Sequence, residues 1–230
     1  MTDNSLQAIG KDLWVVDCPF RLFGAEFGNR MTIIRYKEDD LLLHSPIPIC
    51  ENLIDQLRTL GQVKLLMAPN LMHNLFIADW KQRYPNSTLI APKRIKKVNV
   101  DINLEEITRE KNAIKKLPDS IHIHFIAGMK GLDEYILIHK PSKTLILTDI
   151  AFNIQRTNTP WSNIFFRLYG ALGKFGPTHL IKAVIRDKKM FSLSIQSVLN
   201  HEFDKIIVSH GEIVRENGKS IFSDAFLEIQ

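Results

Sequence analysis

The chain has 230 residues, 45% hydrophobic and 24% charged, an ordinary composition for a globular protein able to bury a substantial core. Its formal net charge of +5 is mild; it disfavours nucleic acid as a partner and leaves a lean toward anionic substrates or surfaces. Two cysteines, Cys18 and Cys50, form no CxxC pair, so thiolate zinc sites and redox pairs are disfavoured and a reducing, cytoplasmic setting is expected.

In chain order, residues 1–12 lack the basic-then-apolar pattern of a signal peptide, and no run reaches the length of a membrane span. Leu13–Val16 predicts a strand, and Arg21–Arg30, with Gly24 and Gly28, reads as a loop. Met31–Arg35 and Leu41–Leu43 flank a polar turn and predict a hairpin. The second strand ends at His44, where Ser45-Pro46-Ile47-Pro48 forbids regular structure. Glu51–Leu60 predicts a helix with Leu53, Ile54, Leu57 and Leu60 on one face and Gly61 as its stop. Val63–Met67 reads as a buried strand that breaks at Ala68-Pro69-Asn70. Helical spacing is expected from Leu71, with Leu71, Leu75 and Ala78 along one face and His73 in the first turn. Thr88–Ala91 predicts another strand, so the order is that of a layered α/β sheet.

Residues 92–97, PKRIKK, form a basic cluster, read as a solvated helix start. Leu104–Lys116 is charged and helix-compatible. His122 and His124 share one face of a strand, where an HxH pair can bind metal, although an exposed strand face is the preferred reading. Glu134–His139 and Thr144–Thr148 predict a second hairpin, and its second strand runs into Asp149. Burying a carboxylate at the end of an apolar strand is costly without a partner or a metal. Trp161–Phe175 is aromatic, apolar and basic at once. As a helix it would group Ile164, Phe165, Leu168 and Leu172, and it suits a lid, a protein contact, a membrane-surface helix or plain core packing. Phe191–Leu199 predicts a helix, Lys205–Ser209 a strand ending at His210-Gly211, and Ser220–Ile229 a closing helix. No repeat or linker interrupts the chain, so one domain is expected over residues 1–230.

His44, His73, Asp149 and His210 thus all follow buried strands. Strand ends in layered folds can converge on one rim, and imidazoles with a carboxylate suit zinc, iron or manganese. The long gaps between them impose no geometry of their own.

Hairpins followed by helix–strand–helix units, twice over, with HSPIP, APNLMHN, SKTLILTDIAFN and IIVSHGEIV at the strand ends, resemble the metallo-β-lactamase superfamily. The resemblance spans Leu13–Ile221. It implies an αββα sandwich with a metal site at one edge, here in a divergent bacterial branch of unknown function with eroded metal motifs. The HxHxDH signature of that superfamily falls on Ala68, Asn70, Met72 and His73, and only the last histidine survives. Met129 stands for a further ligand, Asp149 for the aspartate that bridges two metals, His210 for the final histidine, and His44 replaces a structural aspartate. The resemblance therefore implies one emptied metal position and one that keeps His73, Asp149 and His210, with His44 as a fourth contact. An open position on such a metal could hold and activate a water.

Two readings stay open from the sequence. One is a mononuclear hydrolase of an ester, thioester or phosphoester, using one Zn, Fe or Mn ion, with Asn70, Arg156, Arg167 and Lys174 near an anionic substrate. The other holds no metal and is a catalytically inactive module that binds a ligand, a protein partner or a membrane surface, the last two through Trp161–Phe175.

Overall fold

The computed structural model describes residues 5–95, 104–107, 117–227 and 229. Strands β1 (Gln7–Gly10) and β2 (Leu13–Cys18) lead into a short pair, β3 (Arg21–Leu22) and β4 (Ala25–Glu26). The long hairpin of β5 (Asn29–Lys37) and β6 (Asp40–His44) precedes α1 (Glu51–Leu60), β7 (Gln62–Met67), α2 (Ile77–Arg83), β8 (Thr88–Pro92) and β9 (Leu104–Ile107). Next come β10 (Ile121–Phe125), β11 (Tyr135–His139), β12 (Thr144–Ile146) and β13 (Phe152–Asn153). The chain continues through α3 (Pro160–Tyr169), β14 (Phe175–Gly176), α4 (His179–Val184), α5 (Lys188–Leu199), β15 (Lys205–Ile207) and α6 (Gly218–Leu227).

Backbone contacts divide the chain into two compact units. The first comprises Met1–Cys18 and Arg30–Ile121, the second Pro19–Asn29 and His122–Gln230. The first unit carries a seven-stranded sheet in the order β1-β2-β5-β6-β7-β8-β9. Its β5–β6 hairpin is antiparallel, and β6, β7, β8 and β9 run parallel to one another. Helix α1 forms where the sequence requires it. Leu53, Ile54 and Leu57 bury one stripe, Glu51 lies in the first turn and Arg58 in the last, matching the helix dipole. Gly61 stops it at φ 154°, where a Cβ would overlap the carbonyl oxygen of Asp39. The core beneath gathers Met31, Ile33, Leu43, Leu66, Leu89 and Trp80, all fully or almost fully buried. The Trp80 indole Nε1–H donates to the Ile47 carbonyl at 2.6 Å, which secures the proline-rich exit from β6.

The second unit holds a four-stranded sheet in the order β10-β11-β12-β15. β11 and β12 are antiparallel, and β12 and β15 are parallel with Ile146 opposite Ile207. Its core runs through Ile136, Ile138, Leu145, Ile206 and Val208 to Phe191, Ile195, Phe222 and Phe226 of α5 and α6. A satellite cluster packs Phe27, Phe152, Ile154 and Phe166.

Several expectations are corrected. Residues 71–76 are turns, and helix begins only at Ile77, so His73 is not helical. The residues buried there are Ile77 and Trp80; Met72 and Leu75 face solvent. The stretch expected to be helical from Leu104 is instead a strand at Leu104–Ile107, paired parallel with β8, and residues 108–116 lie outside the described residues, as do Lys96 and Lys97 of the basic cluster. Within Arg21–Arg30 the loop contains the β3–β4 hairpin. Helix α3 stops at Tyr169, where Gly170 takes φ 74°, and it buries Ser162 and Phe166 rather than Ile164 and Leu168. Helix propensity and spacing alone do not tell the buried stripe from the exposed one; the packing partner decides it.

Truncating the most enclosed side chain of the first unit tests this packing. Trp80→Ala loses both volume and the bond to Ile47, and an about 3–5 kcal/mol loss of stability is expected in urea unfolding.

Candidate metal centre

In the second unit the site follows from strand register. Leu147 N–H donates to Ile207 O at 3.0 Å, which extends the β12–β15 pairing by one step. Asp149 lies three residues beyond Ile146 and His210 three beyond Ile207, so equal offsets on paired parallel strands bring them together. His210 Nε2 stands 3.5 Å from Asp149 Oδ1. That exceeds a good N–H···O bond and is close to the about 3.3 Å that separates two ligands held at about 2.0–2.1 Å on one tetrahedral ion.

Both partners are held by their surroundings. His210 Nδ1 lies 2.8 Å from the Gly28 carbonyl oxygen. A carbonyl only accepts, so Nδ1 donates, and in the neutral ring Nε2 carries the lone pair. Metal-binding histidines use this same arrangement. The imidazole stacks on Phe152 with centroids 4.8 Å apart and meets the edge of Phe27 at 5.7 Å. Gly211 adopts φ 103°, and a Cβ there would overlap the Asn153 backbone. Asn153 N–H donates to His210 O at 3.0 Å, and Glu212 N–H to Asn153 O at 2.8 Å, which fixes the segment.

Asp149 is held by a residue that the sequence reading passed over. Glu134 is fully buried, and its carboxylate accepts from Thr148 N–H at 2.8 Å and from Asp149 N–H at 2.9 Å. The signal was present, since an acidic residue stands directly before the apolar run Tyr135–His139. Tyr169, which the sequence also did not single out, interacts electrostatically with Asp149. Burial raises its hydroxyl pKa above the usual value, a hydrogen bond with Thr178 opposes this, and the Asp149 charge adds to the rise.

The first unit positions two histidines. Asn70 is buried, and its Oδ1 accepts from Met72 N–H and His73 N–H, both at 2.8 Å. These bonds anchor the turn that carries His73, and helix follows only from Ile77. Ser45 Oγ lies 2.7 Å from His73 Nδ1. Ser45 itself takes φ 54°, the left-handed region that a serine rarely adopts, and its N–H donates to Met67 O. His44 ends β6 fully buried, with Met67 beside it in register. Burial, then the neighbouring His73, lowers its pKa to about 3, so the ring is neutral at physiological pH.

The positions that the resemblance read as lost ligands are filled structurally. Ala68 sits in the core of the first unit, Met72 faces solvent, and Met129 packs against the core of the second. Arg156, Arg167 and Lys174 are exposed on the second unit. His122 and His124 are only partly exposed and meet His201, with ring centroids 4.3 and 4.8 Å away.

With this geometry in view, the fold class is that of the metallo-β-lactamases. A metallo-β-lactamase from Pontibacter korlensis matches at 14% identity with TM-score 0.66, covering 98% of both chains. One from Hirschia baltica matches at 8% identity and TM-score 0.65, covering 98% of this chain and 97% of that one. FIM-1 from Pseudomonas aeruginosa, in its mono-zinc form, matches at 10% and TM-score 0.65, covering 97% of this chain and 95% of that one. The expected α/β class, with its αββα resemblance, agrees with these neighbours. Residues 11–168 match the family described as Domain of unknown function (DUF4336), and the chain belongs to that family. Among curated proteins no sequence matches it. No helix among the described residues is long and apolar enough to cross a membrane.

Two outcomes follow. Glu134→Ala strands two buried donors and is expected to cost about 2–4 kcal/mol in denaturant unfolding, with Glu134→Gln intermediate because it keeps an acceptor. Burial, then His201 and His122, lowers the His124 pKa to about 4. Its folded-state value lies below its unfolded one, so stability present above about pH 6.5 is lost as pH falls toward about 4. His124→Gln should flatten the pH-dependence of the unfolding midpoint across that window.

Proposed function

We propose that the protein is a hydrolase using a single metal ion, bound by His73, Asp149 and His210, and acting on an ester, thioester or phosphoester in the cytoplasm. The observation that carries this reading is the Asp149–His210 pair, whose donor atoms stand 3.5 Å apart with the imidazole pinned through Nδ1. The His73 ring is oriented by the Ser45 hydroxyl at its Nδ1. Two histidines and a carboxylate form a donor set suited to zinc, iron or manganese. His44, neutral and with no hydrogen-bond partner at Nε2, is the fourth candidate donor.

An ion there would supply Lewis acidity toward the carbonyl or phosphoryl oxygen of the substrate. The chain's own residues do the rest. Gly28 and Ser45 orient the imidazoles, Glu134 holds the backbone at Asp149, and Asn70 fixes the turn that carries His73. Exposed Arg156, Arg167 and Lys174 supply positive charge for an anionic substrate. Phe27, Phe152 and Phe166 give the His210 side a dry wall, which strengthens electrostatic interactions formed beside it. The fold neighbours support the class of chemistry and leave the substrate open.

Protein purified without a histidine tag is expected to carry about one equivalent of Zn, Fe or Mn by elemental analysis, and His73→Ala or His210→Ala should abolish it. Ser45→Ala, which removes only the anchor of His73, should weaken metal affinity by about 10–100-fold. No uptake under any of the three metals would overturn the reading and leave the inactive, ligand-binding alternative.

A further inference from the structure

One face of the second unit presents apolar side chains to solvent in a pattern that core packing does not explain. Leu168 and Phe23 are 75% and 76% exposed, and Trp161, Ile164 and Leu180 are each just over half exposed. Trp161, Ile164 and Leu168 repeat at helical spacing along the outer side of α3, while Ser162 and Phe166 face inward. The patch is contiguous. Trp161 Nε1–H donates to Phe23 O at 3.0 Å, and the half-buried Phe165 ring lies 6.5 Å from Phe23 and 6.2 Å from Trp161. His179, next to Leu180, meets the Leu168 carbonyl at 3.0 Å.

Phe23 is the sharpest sign. It forms the tip of the β3–β4 hairpin, with Leu22 opposite Ala25, so Phe23-Gly24 is a two-residue turn. Both residues have positive φ, 52° and 77°. Such turns favour asparagine, aspartate or glycine, and a bulky aromatic there is an outlier. A strained position that also exposes a large apolar ring points to a use outside the fold.

Charge identifies the occupant. Residues 150–186 contain no Asp or Glu but five basic residues, Arg156, Arg167, Lys174, Lys182 and Arg186, all exposed. Exposed Trp, Phe, Ile and Leu bordered by lysine and arginine suit the interface of an anionic bilayer, where rings and aliphatic chains enter the acyl boundary and basic groups meet the headgroups. We infer that this face docks on anionic lipid surfaces as a peripheral contact, with α3 lying in the plane of the interface and Phe23 inserting beside it. The inference uses none of the proposed metal ligands, and Arg156, Arg167 and Lys174 are the cations it shares with the proposed substrate side.

Flotation of the full chain with phosphatidylcholine vesicles, with and without phosphatidylglycerol, tests it. Binding is expected only to the anionic vesicles, weakening as salt is raised, with Trp161 fluorescence quenched by brominated lipid. Phe23→Ser/Leu168→Ser should reduce binding at least tenfold, and so should Arg167→Glu/Lys174→Glu. Circular dichroism and light scattering on each variant separate lost docking from lost folding. Absent flotation, equal binding to neutral vesicles, or binding unchanged in the serine pair overturns the inference. So does a wild-type dimer that the serine pair dissociates, because the face would then be covered by a second copy.

Discussion

The second unit depends on the register of two parallel strands whose paired residues lie 61 positions apart in the chain, taking Ile207 opposite Ile146. Parallel strands present their carboxyl ends on the same side, and residues at equal offsets past those ends become neighbours. Asp149 and His210 meet for this reason. A slip of one residue would carry His210 away from Asp149 and reverse the faces of Ile206 and Ile207. The fully buried Leu145 and Ile206 make that slip expensive, so the hydrophobic core fixes the polar pair.

Around that pair the backbone does as much as the side chains. Gly28 orients the imidazole from a position 182 residues earlier, and Glu134 binds the amides that lead into Asp149. A buried carboxylate with two backbone donors would be a poor choice for stability alone, since an apolar pair of similar shape often serves as well. Its value lies in holding one geometry. In the first unit Asn70 and Ser45 act likewise on His73, and the positive φ of Ser45 marks a position held against its own preference.

These relations explain what the sequence could reveal. Strand ends, α1 with its Gly61 stop, and the polar residues following apolar runs were legible because they depend on local pattern. The helix start at Ile77 was not, because Asn70 caps the Met72 and His73 amides as it would at a helix start, yet the chain turns through residues 71–76 before helix forms. The inward side of α3 was hidden for another reason. Its outer stripe is as apolar as its inner one, so periodicity could not choose between them. Gly28 was invisible as a site residue because its role exists only through a long-range contact, and Glu134, although it stands before an apolar run, shows its partners only in the folded chain.

Ala68, Asn70 and Met129, which the resemblance sets at ligand positions, bear on the proposed number of ions. Ala68 is wholly enclosed by the first unit's core, where an imidazole would demand new volume and leave polar nitrogens unpaired. Asn70 is already committed to its turn, and Met129 packs against Ile185 in the second unit and supports that core. At each of these positions the residue present serves local structure, and a donor placed there would disturb its surroundings. By contrast, Asp149 and His210 sit in a constrained environment: a pinned tautomer, a glycine required by both its φ and the Asn153 backbone against it, and a buried carboxylate behind the loop. Packing and turn roles at Ala68, Asn70 and Met129, set against a held polar pair at Asp149 and His210, support the proposed single-ion reading over a two-ion one.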